Sequence, residues 1–109
     1  MEDILKKINA FREERDWRQF HNPKDLSISI SLEAAELLEN FQWKTSEEAL
    51  SGDMENVKEE IADVLIYSLM LASDLDLDVR EIIEEKLRKN SVKYPVSRSK
   101  GSNKKYTDL

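Results

Sequence analysis

Glu33 and Glu36 stand three residues apart in the stretch SISLEAAELLENFQWK, and Glu60 and Asp63 repeat that spacing in NVKEEIADVLIYSLML. On a helix this spacing sets two side chains one turn apart on a single face. Glu33 would then interrupt an apolar stripe made by Ile30 and Leu37, and Glu60 one made by Val57 and Val64. Asp63 is the lone charge between Ile61 and Leu71. A carboxylate placed among apolar neighbours costs several kcal/mol unless a partner compensates it. If the two stretches are antiparallel neighbours, the four carboxylates converge and repel unless cations sit between them. All-oxygen ligation selects a hard divalent ion, Mg²⁺ above all, with Mn²⁺ as a substitute. Mg²⁺ also binds phosphate oxygens, so the chemistry indicated is phosphate chemistry. Carboxylates on exposed helix faces need no such explanation, and Glu39, Glu48, Glu55, Glu81 and Glu84 are read as solvated or lysine-paired.

Four helical segments must position these groups. In the first, Ile4, Leu5, Ile8 and Phe11 share a face, and the pattern fades near REERDW. Pro23 and Asp25 supply start chemistry for the second. Leu26, Ile28, Ile30 and Leu32 alternate, which taken alone is a strand signal. One helix over about residues 25–43 is preferred, because Leu26, Ile30, Glu33 and Leu37 form one stripe running unbroken into LEAAELLENF. Thr45 and Glu48 fit a capping box for a short helix, and Ser51-Gly52-Asp53 reads as a break and a new cap. The third long helix is expected over 53–75. The fourth starts at Asp78, with Glu81 placed for a box, turns Val79, Ile82, Ile83 and Leu87 inward, and stops at Pro95. Lys86 and Asn90 lie four apart on that apolar line, where each could bond a phosphate oxygen or simply bury a stem and fray an end. The expectation is an all-α four-helix bundle over residues 1–95, followed by a polar, basic, flexible tail over 96–109. Broad apolar faces on the second and third helices point to a dimer or tetramer.

Composition bounds the function. The chain has 109 residues, 39% hydrophobic and 37% charged, which suits one modest domain and excludes a disordered one. Two Gly and two Pro favour long helices over strands and tight turns. Cysteine is absent, so thiolate metal sites and disulfides are excluded, in keeping with a cytoplasmic protein. Charges interrupt MEDILKKINAF throughout, unlike a signal peptide, and IADVLIYSLMLA is too short to span a bilayer. A formal charge of −6 argues against nucleic acid as a partner.

The acids Glu33-x-x-Glu36 and Glu60-x-x-Asp63, followed by Lys86-x-x-x-Asn90, resemble the all-α nucleoside triphosphate pyrophosphohydrolases of the MazG-like superfamily. RDWRQFHNPKDL, ELLENFQWK, EEIADVLIYSLMLA, KNSVKYP and KKYTDL are similar to blocks of its dCTP pyrophosphatase branch, in order from about residue 10 to the C-terminus. The resemblance implies that Glu33, Glu36, Glu60 and Asp63 hold Mg²⁺ in a bundle assembling as a dimer or tetramer. It implies cleavage of a nucleoside triphosphate to monophosphate and pyrophosphate. Lys86 and Asn90 would touch phosphates, with Lys93 and Tyr94 of KNSVKYP in the same substrate-binding set. Trp17, His21 and Trp43 would shape the base pocket. Two positions depart from the pattern. Leu32 stands where the superfamily often has a further Glu, and Ile8 stands where mammalian members of the branch carry a His.

A triphosphate carries about four negative charges, so an acidic protein needs metal ions to bind one. A spare carboxylate could take the proton of the attacking water, and Glu36 and then Glu59 are the candidates. His21 reads equally as a base-pocket donor and as a capping or packing residue. Arg98, Lys100, Lys104 and Lys105 give the tail an attraction for a bound triphosphate. Three other readings are weighed. A di-iron oxidoreductase needs Glu-x-x-His pairs, which the single His does not supply. A non-catalytic scaffold requires the acids to be exposed and salt-paired. A sister enzyme would act on dUTP or a non-canonical nucleotide.

Overall fold

Scarcity of breakers gives what it should: helices and no strand. The computed structural model describes all 109 residues. The α-helices are α1 (Glu2–Glu14), α2 (Pro23–Glu39), α3 (Ser46–Ser51), α4 (Met54–Asp74), α5 (Val79–Lys93) and α6 (Val96–Ser99), with 3₁₀ turns at Arg18–Phe20 and Tyr106–Asp108. Four of them are long, at 13, 17, 21 and 15 residues for α1, α2, α4 and α5.

The alternating segment 26–32 is helical, as the continuous stripe required. Its helix starts and stops earlier than expected. Asn22, not Asp25, is the cap, accepting the Asp25 N–H at 2.8 Å, with Pro23 at the first position where a missing N–H is harmless. At the other end the Asn40 side chain donates to the carbonyls of Leu37 and Glu36 at 3.3 and 3.4 Å and closes the helix at Glu39. Residues 40–43 are therefore turn, and Trp43 sits there with φ of 62°, a strained value for a bulky side chain. Thr45 and Glu48 form the expected reciprocal box. Asp53 caps α4 and Asp78 caps α5, each through an N–H three residues on.

The chain divides into two compact units, Met1–Asp76 and Leu77–Leu109. In the first, α2 lies along α4, and α1 and α3 also pack on α4. The core is thin: Ile8, Leu26 and Met70 are buried, with Ile66, Tyr67, Leu69 and Leu71 against them. Large apolar side chains remain in solvent on α2 (Ile28, Leu32, Leu38) and on α4 (Ile61, Leu65).

In the second unit, α5 buries no residue. Ile82, Ile83 and Leu87, expected inward, are 40%, 53% and 60% exposed. Their unit has no other long helix to cover them. The segment after Pro95 is not featureless. It forms α6 and a terminal 3₁₀ turn whose Tyr106 ring meets Tyr94 edge-on at 5.9 Å, with the Lys93 ammonium 4.9 Å from the Tyr106 centroid. No helix of the chain is long and apolar enough to cross a membrane.

Candidate functional site

Packing α2 along α4 brings the acidic turns of the two helices together. Carboxylate oxygens of Glu33, Glu36 and Glu60 all lie within 4.8 Å of one another. Glu33 and Glu60 are half-buried and Glu36 is exposed at the rim. One oxygen on each of the buried pair, Oε2 of Glu33 and Oε2 of Glu60, is shut off from solvent with no hydrogen-bond partner. No lysine or arginine forms an ion pair with any of the three, although Glu55 and Glu84 on exposed faces pair with Lys58 and Arg80.

Electrostatics registers this crowding. Burial, close side-chain contact with Glu36 and Glu60, and the charges of Glu36 and Asp63 push Glu33 up from 4.5 to about 7. Glu60 is raised as well, first by burial, against a lowering contact with Glu33, and then by contact with Glu36 and the charges of Glu36 and Asp63. Burial and the same acids raise the Tyr67 phenol. Acceptor oxygens shut off from solvent with no donor are costly. The arrangement suits a cation: oxygen-only donors, converging, with unmet lone pairs. Glu33, Glu36 and Glu60 are thus fitted to hold a hard divalent ion.

Asp63 stands outside that tight group and faces a neighbouring cavity of about 390 Å³, a size suited to a small molecule. Aromatic walls come from Phe11, Trp17 and Tyr67, and aliphatic ones from Ile8, Ile66 and Met70. Its polar groups are Lys7, His21 and Asp63. Phe11 and Trp17 brace each other edge-on at 5.5 Å, and the Arg15 guanidinium lies 3.8 Å from the Phe11 centroid. A flat ring could lie between such walls.

Trp17 and His21 thus fall in the cavity, as does Ile8. Trp43 is on the turn after α2, 94% exposed and not part of that lining. Glu59 is exposed beside Glu60. Lys86, Asn90, Lys93 and Tyr94 belong to the second unit, with Lys86 exposed and Asn90 half-buried on α5. Sequence reasoning missed Lys7, Phe11 and Tyr67 in the lining. It also missed Arg12, which is fully buried and salt-bridged to Asp74. A signal existed: Arg12 follows Ile8 by four residues and so continues the apolar stripe of α1.

Comparisons with known proteins bear on this site. The MazG-like family matches over residues 28–109. The chain is 40% identical, along its whole length, to dCTP pyrophosphatase 1 of Mus musculus and 37% identical to that of Homo sapiens, covering 67% of each. A crystal structure of a pyrophosphatase from Archaeoglobus fulgidus superposes with a TM-score of 0.82 at 45% identity, over 87% of this chain and 92% of that one.

Proposed function

The chain belongs to the MazG-like family, and on that premise we propose that it hydrolyses dCTP or a modified dCTP to monophosphate and pyrophosphate with Mg²⁺ as cofactor. It is a hydrolase of the nucleotide pyrophosphatase kind. The observation that carries the finer reading is the pair of orphaned carboxylate oxygens on Glu33 and Glu60, set beside an aromatic-walled cavity.

Glu33, Glu36, Glu60 and Asp63 would hold the ion. Bound divalent metal supplies charge neutralisation for the triphosphate and an acidified water. Glu36, exposed at the rim of the cluster, would accept the proton of the attacking water, with exposed Glu59 next. Trp17 and His21 enclose the base, and Trp43, outside that cavity in one chain, would add an aromatic face to it in the assembled oligomer. Lys86, Asn90, Lys93 and Tyr94 contact the phosphates, and the basic tail closes over them. The enzyme works as a homodimer or a tetramer of paired dimers in the cytoplasm. Support for assembly comes from two apolar pairs left in solvent at one-turn spacing, Ile28 with Leu32 and Ile61 with Leu65.

One observation favours another substrate, dUTP or a non-canonical nucleotide: Ile8 gives the cavity a hydrocarbon wall and no hydrogen bond for the base. The test is a panel of dNTPs and NTPs, 5-methyl-dCTP included, with products separated by anion exchange. Monophosphate and pyrophosphate that vanish on chelation are expected. Diphosphate and phosphate, or turnover in the presence of chelator, would contradict the reading. Removing residues 96–109 is expected to weaken substrate affinity.

A further inference from the structure

His21 is held at both ends. Its backbone N–H donates to the Arg18 carbonyl at 3.1 Å, and the next residue, Asn22, caps α2. Its ring Nδ1 lies 3.5 Å from Nη1 of Arg12. A guanidinium only donates, so a hydrogen bond across this approach has Nδ1 as the accepting, unprotonated nitrogen and the proton on Nε2.

Arg12 has no freedom to turn away. Its Nε and Nη2 donate to Asn9 Oδ1 at 3.0 and 2.8 Å. Nη1 donates to Asp74 Oδ2 at 2.9 Å, and Nη2 also donates to Asp74 Oδ1. With His21, all five N–H groups of the fork are engaged. The second layer is tied as well: Asn9 donates to Ser73 Oγ at 3.2 Å, and Arg18 donates to Asp74 Oδ1 at 3.1 Å. Burial and the charges of Arg12 and Arg18 lower the His21 pKa against the opposing charge of Asp74. Lys7 and Asp63 are the other charged groups lining the cavity with His21, and Asp76, Asp74 and Arg18 line a second cavity that His21 also borders.

We infer that Arg12 is a positioning residue, which locks His21 as the neutral Nε2–H tautomer so that the ring offers the cavity's occupant a hydrogen-bond donor and never an acceptor. The edge of the occupant facing His21 must then carry an acceptor, a carbonyl oxygen or an unprotonated ring nitrogen, as nucleobases do. An edge bearing an amino group is disfavoured there. This deepens the pyrophosphohydrolase reading and rests on it.

His21 is the single histidine, so its ring nitrogens give an unambiguous long-range ¹H–¹⁵N NMR signature. The spectrum is recorded for the full chain, for Arg12→Lys, and for the pair Arg12→Met with Asp74→Leu, which removes both buried charges together so that neither is left unpaired. The wild type is expected to show the Nε2–H tautomer alone, and the variants a mixture. Nucleotide KM is expected to rise on the order of tenfold in the variants, with kcat nearly unchanged, because the lost contact is to the base. An Nδ1–H or mixed wild type would overturn the inference, as would a tautomer that survives both substitutions. Mixed tautomers with an unmoved KM would remove the positioning role and leave the pyrophosphohydrolase reading standing. No hydrolysis by the wild type would remove that reading and the substrate half of this inference with it. The spectra would still decide what Arg12 does to His21.

Discussion

Two buried charged groups lie within the first unit, and they are built in opposite ways. Arg12 of α1 is enclosed and meets Asp74, Asn9 and His21 with every donor occupied. Glu33 of α2 and Glu60 of α4 are also drawn out of solvent, yet each keeps an oxygen with nothing to accept from. The first group is complete without any other molecule. The second is incomplete, and the partner proposed for it is a cation. Burial of charge alone therefore does not mark a functional site. Burial with unmet valence is the feature on which the proposed metal site rests.

Mutation separates the two regions most sharply. Glu33→Gln or Glu60→Gln is expected to lower kcat on the order of 10³-fold, since bound metal contributes several kcal/mol and each tenfold corresponds to about 1.4 kcal/mol. Circular dichroism of these variants should match the wild type. Arg12→Ala should do the reverse: it strands Asp74 and costs about 3–5 kcal/mol of unfolding free energy in denaturant titration. If Arg12→Ala unfolds like the wild type, the closed network contributes nothing and the comparison fails.

A subtler contrast appears with pH in metal-free protein. Glu33 is raised to about 7 in the folded state, from 4.5, so the folded chain holds a proton that the unfolded chain has released. The stability tied to that proton is full below about pH 4.5 and is lost as pH rises through about 7. Metal-free wild type should therefore melt below Glu33→Gln at pH 8, and the gap should close toward pH 5. Asp74 behaves oppositely. Its bond to Arg12 lowers its pKa, so that contribution disappears only in stronger acid. The smallest effect is expected on the surface, where breaking the exposed Arg80–Glu84 pair with Glu84→Ala should shift stability by less than about 1 kcal/mol.

Much of this was legible in the residues. Acids interrupting apolar stripes located the cluster, because helical periodicity converts spacing into a shared face. Asp78 and the Thr45–Glu48 box marked helix starts that the structure keeps. The losses also have physical causes. Asn40 ends α2 through a side-chain bond to the last turn, which competes with a propensity that alone would carry the helix to residue 43. Arg12 stood visibly on an apolar stripe, but its partner Asp74 is 62 residues away, and spacing says nothing of pairs so distant. The outward face of α5 looked like a core face because its periodicity is that of one. Periodicity reports an apolar stripe without naming what covers it.

The most direct measurement is thermal melting of wild type, Glu33→Gln and Glu60→Gln at pH 8, with and without millimolar Mg²⁺. Mg²⁺ is expected to raise the wild-type Tm and leave both variants unmoved, because only the intact cluster offers a ligand set that the unfolded chain lacks. An unmoved wild type, or variants that respond equally, would contradict the claim that the unmet carboxylates of α2 and α4 are there to hold a cation.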